Sequence, residues 1–159
     1  MSGTEVFISS ADNIELIRAV IAQGASYRFQ AKGFSMCPFI RSGDVITIAP
    51  LGPKKIHTGD VVAFINPQNM SLLVHRVVAR NGSVYRIKGD NVWSPDGVVP
   101  LENILGYISK AKREGRDVLL GLGKESFLIA FLSSKLAFFS LLMSVWKLIR
   151  PVFVKASPG

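Results

Sequence analysis

Between residues 27 and 108 the chain is a succession of short strand-forming runs broken by Gly, Pro, Asn and Asp, and this punctuation constrains the fold more than any other feature. The runs are 27–32, Val45–Ala49, Val61–Ile65, 72–79, Val84–Lys88 and 104–108. The first, Tyr27-Arg28-Phe29-Gln30-Ala31-Lys32, alternates apolar and polar residues strictly, which marks a half-buried strand. Between two later runs stands Asn81-Gly82, a pair that tolerates positive φ and signals a hairpin. This spacing predicts an antiparallel, mainly β sheet or small, partly open barrel over residues 27–115, with 109–118 marking its end.

The flanks read differently. Residues 12–23 form a short amphipathic pattern with Asp12 or a neighbouring Ser as its cap and Gly24 as its stop, so 1–26 is a helical lead-in. It is too short and too charged to span a bilayer, and no cleavable secretory signal is expected at the N-terminus. The net charge of +8 is uneven: from Lys110 onward nine Lys or Arg face three acidic residues, a net of +6, which leaves +2 for the rest. The residues between those charges are Phe, Leu, Ile and Val, which favours an anionic membrane surface over nucleic acid as the partner. Residues 127–146 number 20 and hold one charge, Lys135, close to the length that crosses a hydrocarbon core. Region 116–159 is therefore expected to be a basic, apolar helical segment associated with a membrane. Ser126, Ala130, Ser133, Ala137, Ser140, Ser144 and Lys147 make a small, weakly polar stripe along it, suited to another membrane helix or to headgroups. A core helix covering the β domain is the alternative.

Residues 33–44, Gly-Phe-Ser-Met-Cys-Pro-Phe-Ile-Arg-Ser-Gly-Asp, hold Ser35 between glycine-marked turns and before Pro38. Ser35 either caps a helical turn or serves as a nucleophile, and a nucleophile needs a base within hydrogen-bond reach. There are two histidines. His57 lies in a turn, whereas His75 sits in a strand run on one face with Leu73 and Val77. Asp90 and Asp96 follow, and the sequence does not choose between them as the carboxylate that orients the imidazole. Asp44, Asp60 and Ser42 read as turn residues. Cys37, the only cysteine, excludes an internal disulfide and reads as a small buried hydrophobe.

Ser-Met-x-Pro with Gly-Asp after it, Gly59-Asp60-Val61-Val62, His75-Arg76-Val77 and Lys88-Gly89-Asp90-Asn91 together resemble the type I signal peptidase family over roughly residues 29–108. More narrowly, they are similar to its archaeal and endoplasmic-reticulum branch, in which His replaces the Lys of most bacterial members. The resemblance implies a serine endopeptidase cleaving leader or signal-like peptides, on a partly open β-barrel. In that reading Ser35 is the nucleophile, His75 the general base, and Asp90 or Asp96 its support. The Ser35 backbone N–H serves the oxyanion hole, and Gly33, Met36 and Pro38 meet an extended peptide segment of the substrate.

Related enzymes use a desolvated Lys as base, so Lys32 and Lys88 are alternatives. A Ser-Lys self-cleaving regulator and a non-enzymatic peptide-binding module at a membrane are the rival functions. No zinc-ligand spacing and no phosphate-binding Gly loop is found, so neither metal nor cofactor is expected. Five Lys or Arg from Lys110 to Lys124, against three after Trp146, favour a cytoplasmic-facing catalytic domain. A specialised maturation protease with an exporter or membrane partner subunit then becomes an alternative to general secretory processing.

Overall fold

A computed structural model of the chain describes residues 10–135. Helix α1 covers Ser10–Ala22, and Gly24 ends it at φ +76°, a left-handed value that glycine adopts without a Cβ penalty. Ile14, Ile17 and Ile21 recur at three- and four-residue spacing, and this face packs on the sheet with Ile17 fully buried.

Eight strands follow: β1 Tyr27–Gln30, β2 Val45–Ala49, β3 Val61–Ile65, β4 Leu72–Asn81, β5 Val84–Lys88, β6 Val98–Pro100, β7 Ile104–Arg113 and β8 Arg116–Asp117. All pairings are antiparallel, in the order β1-β2-β7-β3-β4-β5-β6, with β8 folded back onto β7. The sheet is mainly β and open, with β1 and β6 at its ends. Of the expected runs, β2, β3 and β5 have the expected bounds; β1 is two residues shorter, while β4 and β7 are longer. The hairpin after β4 turns at Gly82 and Ser83, with Asn81 still paired to Val84, so only Gly82 takes the left-handed conformation.

Strand β3 shows how the molecule is divided. All five of its residues are buried, and successive side chains enter opposite cores. Val61, Ala63 and Ile65 join Ile46, Ile48, Met36, Ile40 and the inner face of α1. Val62 and Phe64 join Val77, Tyr85, Ile87 and Val99 on the other face. Each of the Val, Ile, Phe and Met side chains contributes about 1.5–3 kcal/mol on burial, so β3 and its neighbours form the packed base from which the loops project.

Segment 109–118, expected to mark the end of the β domain, holds the last residues of β7 and all of β8. Strand β7 runs on to Arg113, with Ala111 buried and Lys110 and Lys112 exposed, the alternation of a strand with one wet face.

Helix α2 spans Ser126–Lys135, and the rest of the expected apolar segment, 136–159, lies outside the described residues. Among the described residues no helix is long and apolar enough to cross a membrane. The described part of the small-residue stripe turns out to face the β body: Ala130 and Ser133 are buried, alongside Ile129. The first turn of α2 rests on Gly59, where an added Cβ would lie 2.8 Å from the Phe127 nitrogen, so only glycine permits that approach.

Candidate active site

The loop carrying Ser35 leaves β1 through Gly33 at φ +88° and makes one tight turn, in which the Cys37 and Ile40 N–H groups donate to Phe34 O and Met36 O at 3.1 Å. Its far end is fastened by Asp44, which is 2 % exposed. Asp44 accepts from the Arg41 N–H at 2.8 Å and from Arg113 Nε and Nη2 at 2.9 and 2.8 Å. Burial alone would raise the Asp44 carboxyl, but the hydrogen bonds from Arg113 and Arg41 outweigh it and hold the group below its ordinary value. Arg113 also donates to Phe39 O at 3.1 Å, so one guanidinium ties both the turn and the loop to β7. Asp44 is thus more than a turn residue, whereas Asp60 keeps that role by accepting from the His57 N–H at 2.8 Å and from Lys54 at 3.0 Å.

On β4, neighbouring residues face opposite sides of the sheet, and this decides the fate of the two candidate carboxylates. His75 turns to the side of Leu73 and Val77. Its Nε2 is 2.8 Å from Ser35 Oγ and its Nδ1 is 2.5 Å from Asp96 Oδ2. The imidazole is 6 % exposed and the Asp96 carboxyl 14 %. Ser35, His75 and Asp96 therefore form one hydrogen-bonded line, and the Ser35 hydroxyl meets the imidazole rather than capping a turn. Asp96 is fixed through its own N–H, which donates to Ile87 O at 2.9 Å.

Arg76 turns the other way and takes Asp90. Its Nε and Nη2 donate to Asp90 Oδ1 and Oδ2 at 2.8 and 2.7 Å, and neither side chain has any exposure. Nη1 donates to Gly59 O and Gly121 O at 2.9 and 2.8 Å. Both Asp90 oxygens are thus engaged by a guanidinium on the side of β4 away from His75. Asp90 does not reach the imidazole.

Two residues with no role assigned from sequence hold the Ser35 loop against His75. The Asn91 N–H donates to Ser35 O at 2.7 Å, and Asn91 Nδ2 to Phe34 O at 3.3 Å. A Cβ at Gly89 would lie 2.8 Å from Ser35 O and 3.1 Å from His75 Nε2, so the turn after β5 can come this close only without a side chain there. Both belong to the Lys88-Gly89-Asp90-Asn91 box, where a glycine and an amide beside a carboxylate are the sequence signal for such a tight approach.

Lys88 is buried, and its Nζ donates to Ser133 Oγ at 2.9 Å and to Gly89 O at 3.5 Å, not to Ser35. Burial lowers its pKa, against an opposing pull from Asp90 and Asp96. Lys32 lines a small cavity of about 160 Å³ beside Ser35, together with Gly33, Met36, Leu72, Val74 and His75. Pro38 lies elsewhere, on a larger groove with Phe39 and Leu120. Cys37 is buried and burial raises its thiol pKa, as suits a packing residue. His57 is exposed and takes no part.

A hydroxyl on an imidazole that is itself on a carboxylate can pass a proton from oxygen to nitrogen while the carboxylate stabilises the resulting cation. The family model described as Peptidase S24-like matches residues 3–108, which include every member of this line. No curated protein matches the chain.

Proposed function

The chain belongs to the Peptidase S24-like family, whose members are peptidases of the serine type, and from that premise we propose that it is a serine endopeptidase acting through Ser35, His75 and Asp96. The observation that carries this reading is the pair of hydrogen bonds at 2.8 and 2.5 Å on the two nitrogens of one buried ring. Ser35 Oγ attacks the peptide carbonyl as its proton passes to His75 Nε2, and His75 then gives that proton to the leaving amine. Asp96 fixes the tautomer through Nδ1 and stabilises the imidazolium. The Ser35 N–H is the donor proposed for the developing oxyanion.

A Ser-His mechanism is favoured over a Ser-Lys one because an imidazole stands at the hydroxyl while the Lys88 ammonium is committed to Ser133. This is also what favours the Ser-His signal peptidase branch within the wider likeness. The substrate proposed is an extended leader-like segment. Residues 72–75 of β4 pair with β3 on one side, whereas β5 begins its pairing only at Arg76, which leaves the other edge of this stretch without a strand partner among the described residues. That edge and residues 31–33 line the cavity beside Ser35, so a peptide added there as a strand would bring its carbonyl to the hydroxyl. The cavity is small, which suits small residues before the cleaved bond.

Labelling with a fluorophosphonate and cleavage of a leader-peptide library test the reading together. Wild-type protein is expected to be labelled at Ser35 and to cut the library, and both Ser35→Ala and His75→Ala are expected to lose both properties. Cleavage that persists in folded Ser35→Ala would overturn the mechanism. Peptide binding without labelling or cleavage would point to the passive module.

A further inference from the structure

Thirteen large hydrophobic side chains are well exposed among the described residues, and the segment just before and into α2 concentrates them. Leu119 is 83 % exposed, Leu120 66 %, Phe127 62 % and Leu128 57 %. They cannot turn inward, because the same segment is already docked through its other side. Glu125 Oε1 accepts from the Gly121 and Gly123 N–H groups at 2.7 and 3.0 Å, Arg76 grips Gly121 O, and Lys88 grips Ser133. Ile129 and Ala130 occupy the inner face. A helix that is apolar on its outer as well as its inner face needs a second apolar environment.

Cations border this apolar strip. Leu119 and Leu120 line one side of a groove of about 760 Å³ whose other walls include Phe39, Arg41, Arg113 and Arg116. Lys124, exposed, stands between the leucine pair and α2. Glu114 and Asp117 also line the groove, but the described residues from Lys110 to Lys135 hold six Lys or Arg against three acidic residues, a net charge of +3. A second copy of the chain is a poor occupant, since a two-fold contact sets the same patch against itself and would bring these cations face to face.

We propose that the 119–128 surface and its basic border form an interfacial docking site for an anionic lipid bilayer. The apolar side chains enter the headgroup boundary, and Arg41, Arg116 and Lys124 meet lipid phosphates. The groove is shared with Phe39 of the Ser35 loop, and Gly121 packs on the Phe39 ring, so docking would hold the nucleophile loop near the membrane plane.

Flotation of the full chain with vesicles of phosphatidylcholine, alone or with about one-third phosphatidylglycerol, tests this directly. The wild type is expected to bind the anionic vesicles at least tenfold more tightly than the neutral ones. The quadruple variant Leu119→Ser, Leu120→Ser, Phe127→Ser and Leu128→Ser is expected to lose at least tenfold of that binding while keeping its Tm and fluorophosphonate labelling. Arg116→Gln with Lys124→Gln is a second variant that leaves the packing untouched, and it is expected to erase most of the preference for anionic lipid. Unchanged binding in the quadruple variant would assign any membrane affinity to other parts of the chain and overturn the proposal. Equal binding to neutral and anionic vesicles would do the same, as would a wild type that self-associates through this surface and ignores vesicles. Because binding is read without substrate, the result is independent of the peptidase reading.

Discussion

Asp90 and Asp96 lie six positions apart, yet they have different partners, Arg76 and His75 respectively, and replacing each with asparagine should produce opposite outcomes. Asp96 touches the site through one bond to His75 Nδ1, is partly exposed, and is positioned by its backbone N–H. Asp96→Asn keeps the shape and that backbone bond but removes the charge that balances the imidazolium. Loss of this carboxylate from a Ser-His-Asp arrangement costs about 10⁴-fold in kcat, or about 5.4 kcal/mol of barrier at 1.36 kcal/mol per tenfold. Stability should barely change.

Asp90→Asn acts on a pair with no exposure, where Arg76 would keep its full charge and lose its counter-charge. Breaking such a pair costs about 3–5 kcal/mol, and the lower end applies because the amide oxygen still accepts one N–H. At about 2–4 °C per kcal/mol for a chain of this size, Tm should fall by roughly 6–12 °C. The folded fraction should retain near-normal chemistry. The assay is a thermal melt beside single-turnover cleavage of a leader peptide, with rates normalised to the fraction of Ser35 that can be labelled. An Asp96→Asn enzyme within threefold of wild type, or an Asp90→Asn enzyme with intact Tm and a lost rate, would refute the division of roles.

Gly89→Ala is expected to slow both labelling and cleavage at least tenfold with a smaller effect on Tm, since its Cβ would press on Ser35 O and His75 Nε2 rather than on the core. Lys88→Met tests the buried ammonium by equilibrium denaturation across alkaline pH. The folded-state pKa of Lys88 is lowered, so between that value and the ordinary one of 10.5 the unfolded chain binds more protons and wild-type stability rises with pH; Lys88→Met should flatten that rise and be at least as stable as the wild type at neutral pH.

The strand runs were legible because they are apolar and bounded by turn residues, and β2, β3 and β5 follow directly from that pattern. What escaped was strand hidden by composition. Residues 109–113 are mostly charged, so the expected strand run stops at 108, yet Ala111 is buried against β2 while its neighbours face solvent, a period of two carried by a single small residue. Strand β6 contains Pro100 and spans three residues, too few to show any period. The stripe on α2 was visible, but periodicity says only that a face is distinct. What covers it depends on long-range contacts such as Lys88 with Ser133, 45 positions apart.

The candidate site divides along the same line. Placing His75 with Leu73 and Val77 needs only strand alternation, and alternation equally sends Arg76 to the opposite face. The sequence thus holds the statement that two basic groups on opposite faces await two carboxylates. Which carboxylate goes where depends on the path of the chain after β5, fixed by the Asp96 N–H on Ile87 O and the Asn91 N–H on Ser35 O. Asp44, Asp90 and Asp96 are each held by a basic partner, but only the last pair continues to a hydroxyl. The Arg113 pair fixes the loop that carries Ser35, and the Arg76 pair fixes the turn that presses on it. The contact between Ser35 and His75 is therefore braced by two ion pairs that never touch it, which is why substitutions at Asp44 or Asp90 should act mainly through folding rather than through proton transfer.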